Sequence, residues 1–420
     1  MSASARLGQV ASHLSSDKAP RTQIGVKNPD DVVIVQALRT PITRARKGGF
    51  KDTTSEYLLG NILKGVLERS KLDPALVDDI CVGNVCPPGG GATLARMAAI
   101  YAGFPHTTSV QTVNRQCSSG LQAVVHIAHA IQAGMIDIGI GAGVESMTQF
   151  YGPKHSVVPD VMNDEVLAAP GVADCLIPMG FTSENVAHDF KISRGKQDAF
   201  AALSHQRVEK AQKEGLFDAE IYPIKTKIVD KDGNEKEIVV SRDDGLRAGT
   251  TAESLGKLKP AFSAEGSTTA GNASQVSDGA AAVLLMKRSR ALELGLSIQG
   301  KLIASAVAGV PPRIMGVGPA YAVPAVLKKT GLTVDQLDVV ELNEAFASQA
   351  VYSMEKLGLD INKVNPKGGA IALGHPLGCT GARQISTLLT ELKRQDKRVG
   401  CTTMCIGGGF GMAAIFESEH

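Results

Sequence analysis

Hydrophobic and polar positions along the chain predict alternating strands and helices, and the first strand is predicted near residue 31. The run Asp31-Val-Val-Ile-Val35 is rich in β-branched residues and is typical of a buried strand. The thirty residues before it are small and polar. We therefore interpret residues 1–30 as a leader, predicted to be disordered, in front of the folded domains.

A helix followed by a strand is predicted twice, and the two copies are separated by a constant offset of 260 residues. The constant offset over six positions favours duplication over chance similarity. We predict an α/β fold of two similar mixed-sheet halves packed together. The matching positions are Leu67, Leu72, Val77, Asp78, Ile80 and Val82 in the first copy, and Leu327, Leu332, Leu337, Asp338, Val340 and Leu342 in the second.

The stretch from about 150 to 270 interrupts the repeat. It contains a predicted helix at 195–213 and a charged hairpin around an Asp-Gly turn at 232–233. Long insertions are often lids or binding loops. We therefore predict an N-terminal half formed by 31–150 and 268–295, a loop domain at 151–267, and a C-terminal half at 296–420.

Composition and charge exclude several classes of function. With 44 Lys and Arg against 42 Asp and Glu, the net charge of +2 indicates neither a nucleic-acid nor an anionic-membrane partner. The most apolar stretch, 123–144, is interrupted by polar residues, so no membrane span is predicted. Seven cysteines form no dense disulfide pattern, and their spacing does not fit a zinc site, so no metal is expected.

Cys117 directly precedes an apolar run at 121–131 that predicts a helix. The partial positive charge at a helix N-terminus lowers the pKa of a thiol, and its free N–H groups can bind an oxyanion. We therefore predict that Cys117 is an activated nucleophile. The alternative is a small buried hydrophobic side chain, which is the commoner role of cysteine.

Three further residues occupy places where a side chain can be presented to a ligand. His375 lies among glycines and a proline, although it could simply stabilise that turn. Cys405 precedes three glycines at the end of a predicted strand, and a thiol there suits proton transfer. Asn343 falls between a predicted strand and a helix, so it either caps the helix or orients a water or the substrate.

Together these motifs resemble the thiolase family, and the resemblance extends from about residue 31 to residue 417. The resemblance implies halves packed in αβαβα layers, an interposed loop domain, and coenzyme A (CoA) bound in a cleft as a substrate rather than as a tightly bound cofactor. It also implies a homodimer or a tetramer. Four blocks carry it: Asn114-Arg-Gln-Cys117-Ser-Ser-Gly120, Asn343-Glu-Ala-Phe346, Gly374-His375-Pro-Leu-Gly378 and Cys405-Ile-Gly-Gly-Gly409.

The resemblance also implies a role for each candidate residue. Cys117 would carry the acyl group, His375 would be its base, and Cys405 would be the general acid and base at the α-carbon of the substrate. Asn343 would hold a water that forms one oxyanion site with His375. The backbone N–H groups of Cys117 and Gly407 would form the second. Implied contacts to CoA are Met179, Arg247, Ser254, Phe262 and Ser274.

The expected reaction is cleavage of a 3-ketoacyl-CoA by free CoA, which needs a soft nucleophile and two sites for negative charge. The sequence Ile-Pro-Met-Gly at 177–180 resembles the degradative branch of the family, which acts in fatty-acid β-oxidation. The leader is similar to an N-terminal peroxisomal targeting signal that an import receptor would bind, and the alternative is a frayed helix. The residues that match this signal, with its spacing, are Arg6, Leu7, His13 and Leu14.

Other functions remain as alternatives. An acetyl-CoA acetyltransferase would run the same chemistry towards condensation of acetyl units. A β-ketoacyl synthase would also use a cysteine nucleophile, but the block at Cys405 does not resemble its third catalytic position. A non-catalytic lipid carrier or scaffold would not need Cys117, His375 and Cys405 together.

Overall fold

The structure, a computed structural model, describes residues 23–152, 158 and 161–419. The predicted targeting residues of the leader therefore lie outside the described residues. Within the described ranges, no helix is long and apolar enough to cross a lipid bilayer.

The strands predicted near residues 31, 80 and 340 are present among the described residues. The run at 31–35 starts the first strand, which continues to Arg39. The strands are β1 (Val32–Arg39), β2 (Thr43–Arg44), β3 (Asp79–Gly83), β4 (Ser109–Val113), β5 (Ile138–Ser146), β6 (Ile224–Val229), β7 (Glu235–Val240), β8 (Ser277–Lys287), β9 (Gly300–Gly309), β10 (Val339–Leu342), β11 (Val399–Ile406) and β12 (Phe410–Ser418).

The helices include the one predicted at 195–213, which begins one residue earlier. Its N-cap, Ser193, accepts a hydrogen bond from the N–H of Lys196. The α-helices are α1 (Ser55–Ser70), α2 (Ala92–Ala102), α3 (Ser119–Gln132), α4 (Met147–Phe150), α5 (Asp164–Ala168), α6 (Met179–Asp189), α7 (Arg194–Lys213), α8 (Ala252–Gly256), α9 (Arg288–Glu293), α10 (Gly318–Thr330), α11 (Ala347–Leu357), α12 (Ala370–Leu373) and α13 (Leu377–Arg394).

The sheet topology confirms the predicted duplication. The large sheet has the order β10-β11-β12-β9-β1-β8-β5-β3-β4, with β2 paired to β8, while β6 and β7 form a separate hairpin. In the first half, β3 and β5 are parallel and the next two pairings, to β8 and β1, are antiparallel. The second half repeats this pattern with β10, β11, β12 and β9. The halves join where β1 pairs with β9 through two residue pairs.

Helices α3 and α13 pack closely against each other, and this contact places the candidate site. Their apolar side chains share one core cluster with strands from both halves. A Cβ at Gly120 would lie 2.6 Å from the carbonyl oxygen of Gly378, so only glycine allows the two backbones to approach this closely. Cys117 and His375 each lie two residues before one of these helices. This packing therefore brings the segment that carries Cys117 close to the segment that carries His375.

A buried ionic network joins the segment at 151–267 to both halves. Arg39, at the end of β1, donates to Glu220 and Asp243 at 2.7 Å each. Lys367 donates to the other oxygen of Glu220 at 2.7 Å. Burial raises the pKa of Glu220, but the charges of Lys367 and Arg39 outweigh this effect and hold the pKa at about 2.

We expect Glu220→Gln to lower the free energy of unfolding by about 3 to 5 kcal/mol, because it leaves buried cationic groups without their partner. The control is Glu355→Gln, which breaks the exposed pair with Lys196 and should cost less than about 1 kcal/mol. The contribution of Glu220 should be fully present above its unfolded pKa of roughly 4.3 and lost as the pH falls towards 2. Urea unfolding at several pH values measures both effects, and equal losses in the two variants would contradict the expectation.

Candidate active site

Cys117 lies in the turn that leads into α3, as predicted. Ser118 is the N-cap residue, and the helix begins at Ser119. The backbone N–H groups of Gly407 and of Cys117 itself lie close enough to the Cys117 sulfur to lower its pKa. Two N–H donors from different halves of the fold therefore converge on one thiol, as an oxyanion site requires.

The predicted lowering of the Cys117 pKa is wrong for the protein without substrate. Burial raises the pKa of the Cys117 thiol to about 11, although the two N–H groups act in the opposite direction. The carboxylate of Glu145 raises this pKa further. Desolvation therefore outweighs the favourable position before the helix, and the thiol is protonated at neutral pH.

His375 is presented by the glycine-rich turn before α13 and is 5% exposed. Its Nδ1 lies 2.6 Å from the Thr380 hydroxyl, which itself donates to the carbonyl oxygen of Pro376. Because that hydroxyl proton is already used, Nδ1 carries the ring proton and donates it to Thr380. The opposite nitrogen, Nε2, is therefore free to accept a proton. Burial, followed by the charge of Arg383, lowers the pKa of His375 to about 3, so the ring is neutral.

Asn343 contacts the unprotonated nitrogen of His375, so it is not a helix cap. Its side-chain nitrogen lies 3.3 Å from Nε2 of His375. The cap of α11 is instead Phe346, three residues further on. Gln349 donates to the Asn343 carbonyl at 2.8 Å and holds this turn. Among the described residues, Oδ1 of Asn343 has no hydrogen-bond partner and can accept one from a ligand.

Cys405 is fully buried near the end of β11 and belongs to a small apolar cluster with Met315 and Ala345. Burial raises the pKa of its thiol, and the nearby Cys117 raises it further. This electrostatic interaction indicates that the two thiols lie near each other. All seven cysteines are free thiols.

Glu145, at the end of β5, is a site residue that the sequence analysis did not identify. Its buried carboxylate accepts hydrogen bonds from the N–H groups of Val85, Cys86 and Gly378 at 2.9–3.1 Å. Burial raises its pKa to about 7 against the effect of these donors. The available signal was a carboxylate inside a strand whose other residues are all apolar or small. The Glu145 carboxylate therefore links the start of α13 to the loop at residues 85–86, which lies beside Cys117.

Three of the predicted CoA contacts lie beside this site. Met179 packs against the Cys405 cluster, and its sulfur would lie 3.7 Å from a Cβ at Gly407. The ring of Phe262 is 6.5 Å from that of Phe346, measured between centroids. The N–H of Ser274 donates to the carbonyl oxygen of Ala345 at 2.9 Å, and the side chain of Ser274 is half-buried.

The other two predicted contacts also belong to the inserted segment, and both are exposed. The N–H of Arg247 donates to Nδ1 of His205 at 3.3 Å, and its side chain faces solvent. Ser254 uses its hydroxyl in the capping box with Thr251 at the start of α8. Within the described ranges, neither residue forms a hydrogen bond with Cys117. No group of His, Cys, Asp and Glu within the same ranges is arranged as metal ligands would be.

The arrangement holds a protonated thiol, a neutral imidazole, a second thiol and two sets of hydrogen-bond donors in one buried site. Such a set can transfer an acyl group to sulfur and move a proton at a neighbouring carbon. Because both Cys117 and His375 are neutral, the proton must leave the thiol as the new sulfur–carbon bond forms.

Comparisons with known proteins agree over nearly the whole chain. The model of the thiolase N-terminal domain matches residues 32–289, and that of the thiolase C-terminal domain matches 296–418. The chain is 56% identical to the peroxisomal 3-ketoacyl-CoA thiolase of Yarrowia lipolytica, and the match covers 99% of this chain and 100% of that protein.

Solved structures give the same result for the fold. The dimeric peroxisomal thiolase of Saccharomyces cerevisiae is 52% identical with a TM-score of 0.87, over 94% of this chain and 98% of that one. A second structure from the same organism, with a TM-score of 0.78, is 46% identical over 94% of this chain and 100% of that one. Its description is a five-layered α-β-α-β-α structure built from two core domains of identical topology.

Proposed function

The chain belongs to the thiolase family, and we propose that it is a 3-ketoacyl-CoA thiolase that acts in fatty-acid β-oxidation. The reaction uses free CoA to cleave a 3-ketoacyl-CoA into acetyl-CoA and a shortened acyl-CoA. The observation that carries the proposal is the convergence of the Gly407 and Cys117 N–H groups on the Cys117 sulfur, beside the Asn343–His375 pair.

In the first half-reaction, the Cys117 sulfur attacks the 3-keto carbon while its proton passes to Nε2 of His375. The bond between the α-carbon and the keto carbon then breaks, and its electron pair forms the enolate of acetyl-CoA. Cys405 donates its proton to the α-carbon of that enolate. The acyl group remains on Cys117 as a thioester.

In the second half-reaction, the thiol of free CoA attacks the acyl-cysteine and gives its proton to the Cys405 thiolate. The tetrahedral centre collapses, and the Cys117 sulfur leaves and recovers the proton from His375. The N–H groups of Cys117 and Gly407 stabilise the oxyanion of the tetrahedral centre. His375 and a water held by Asn343 stabilise the enolate in the first half-reaction.

CoA is proposed to lie along the loop domain, residues 151–267. This domain is proposed to lie between the N-terminal half, 31–150 with 268–295, and the C-terminal half, 296–420. The proximity of Met179, Phe262 and Ser274 to the Cys405 cluster supports a pantetheine path that ends at the thiols. Exposed Arg247 supplies a cation for a phosphate. Arg247→Ala should therefore raise KM for CoA without lowering kcat.

The protein is peroxisomal, as its relatives are, and we propose that an import receptor binds the leader. Residues 1–22 of the leader, which include the predicted targeting residues, lie outside the described residues. Deleting residues 2–20 should leave thiolysis intact and keep the enzyme in the cytosol, and Leu14→Asp should have the same effect by placing a charge in an apolar stripe. Fluorescence microscopy measures where each variant is located. The cells must lack an intact partner subunit, because such a subunit could carry the truncated enzyme into peroxisomes. Import of the truncated enzyme there would show that the leader is not the signal.

A homodimer is proposed from the dimeric state of the relative. Strand β4 is at the free edge of the sheet, and exposed Met97, Ile100 and Tyr101 on α2 lie in the neighbouring helix. Such an edge favours pairing with a second copy. Sedimentation velocity measures the mass in solution and distinguishes a dimer from a tetramer.

A chain-length series tests the proposed function against an acetyl-CoA acetyltransferase. We expect kcat/KM for thiolysis of 3-ketohexadecanoyl-CoA to be at least comparable with that for acetoacetyl-CoA, because a degradative thiolase must accept long chains. Turnover of acetoacetyl-CoA alone would instead indicate the acetyltransferase. Absence of turnover with either substrate would favour a non-catalytic carrier or scaffold.

A further inference from the structure

A second buried carboxylate, Glu344, lies beside the Asn343–His375 pair and takes no part in the chemistry described above. It directly follows Asn343 and is 1% exposed. Its oxygens accept hydrogen bonds from the Ser204 hydroxyl at 2.6 Å, the Asn365 amide at 2.7 Å and a third donor on α12. In the described part of the chain, no lysine or arginine forms a salt bridge with it. Hydrogen bonds therefore provide most of the compensation for its burial, and the charge of Arg383 adds to them.

The third donor connects Glu344 to the turn that carries His375. It is the N–H of Ile371, in the first turn of α12, at 3.1 Å. This short helix starts after Gly369, whose Cβ would collide with the Glu344 carboxylate. The N-cap glycine has no side chain that could cap the helix, so Glu344 takes that role. Because α12 ends two residues before His375, the carboxylate contacts the segment that leads directly to the imidazole.

Ser204 connects the same carboxylate to the loop domain. It lies on α7 and is 2% exposed. Its hydroxyl donates to Glu344 and accepts a hydrogen bond from the N–H of Gly369 at 3.1 Å. The next residue, His205, accepts the N–H of Arg247. One turn of α7 therefore contacts both the His375 turn and the backbone of a proposed CoA contact.

We propose that Ser204 and Glu344 are positioning residues for the Asn343–His375 pair. The Ser204 hydroxyl orients the Glu344 carboxylate. The carboxylate in turn fixes the position of Asn343, the residue before it, and of the turn that ends at His375. This inference rests on the proposed thiolase function. Catalytic groups displaced by about 1 Å can lose roughly hundredfold in rate, so the effect should appear in kcat.

The test compares Ser204→Ala with Ser353→Ala. Ser353 is an equally buried serine on α11 whose hydroxyl has no hydrogen-bond partner among the described residues. We expect Ser204→Ala to lower kcat for thiolysis about tenfold with KM for CoA changed less than about twofold. Exchange of the acetyl-CoA methyl protons should fall by the same factor. Ser353→Ala should leave kcat, KM for CoA and the rate of proton exchange unchanged.

Glu344→Gln provides a second, stronger variant. It should lower kcat about a hundredfold, and the double variant with Ser204→Ala should lose no more than Glu344→Gln alone, because Ser204 acts through Glu344. Should Glu344→Gln fail to fold, the two serine variants decide the question. Equal kcat in Ser204→Ala and Ser353→Ala, or a loss that appears only in KM, would overturn the inference. Wild-type thiolysis measured in parallel separates this failure from a failure of the proposed function.

Discussion

Replacing Cys117 with serine is expected to lower kcat/KM for thiolysis by at least roughly 10⁴-fold. The His375 ring is neutral and, with a pKa of about 3, is a weak base in its buried position. It can receive a proton from a thiol that is forming a bond, but the hydroxyl of serine is far less acidic and less nucleophilic. Steady-state thiolysis with a long-chain 3-ketoacyl-CoA measures the loss.

A matched control for this substitution is Cys401→Ser. Cys401 is also fully buried, and burial raises the pKa of its thiol to about 12. It lies on β11, four residues before Cys405, and its sulfur contacts the carbonyl oxygen of Thr402. Its replacement should change kcat/KM less than about threefold. A comparable loss in both variants would mean that the effect at Cys117 is one of packing.

Replacing Cys405 with serine should separate the two half-reactions. We expect exchange of the acetyl-CoA methyl protons to fall roughly a thousandfold, because a serine hydroxyl is a poor acid and base at neutral pH. Formation of the acyl-enzyme from an acyl-CoA needs no proton at the α-carbon, and the CoA sulfur can leave as a thiolate without a proton from Cys405, so this step should fall less than about tenfold. Exchange is measured by deuterium uptake, and acylation by mass spectrometry of the intact protein.

The same Cys401→Ser variant is the control, because both cysteines lie on β11 and are fully buried. It should leave exchange and acylation unchanged. Equal losses of exchange and acylation in Cys405→Ser would make Cys405 a structural residue. The proton at the α-carbon would then have to come from another group.

Local patterns were sufficient to predict the main elements of the fold. The repeat is visible in the sequence because each half contains a helix, a short turn and a strand in the same order, at α1 to β3 and at α10 to β10. The Asp-Gly turn correctly predicted the β6–β7 hairpin. The extension of β1 to Arg39 was not predicted, because the charge of this arginine is compensated only by Glu220 and Asp243, distant in sequence.

The candidate site shows where sequence reasoning ends. Cys117, His375 and Cys405 could be identified because glycines lie close to them in the sequence, and Asn343 because it falls between a predicted strand and a helix. Their protonation states could not be predicted from sequence, since the pKa of Cys117 depends on burial in the folded protein and on the N–H of distant Gly407. Glu344 gained its importance from partners on α7 and α12. Such a role depends on contacts between segments far apart in sequence, which local periodicity does not contain.

The most direct test of the proposed mechanism is to locate the covalent intermediate. The enzyme is mixed with 3-ketohexadecanoyl-CoA without free CoA, quenched in acid, digested and analysed by mass spectrometry. The expected result is a tetradecanoyl thioester on the peptide that contains Cys117, removed when free CoA is added before the quench. A thioester on the peptide that contains Cys405, or one that persists in Cys117→Ser, would contradict the assignment of Cys117 as the nucleophile.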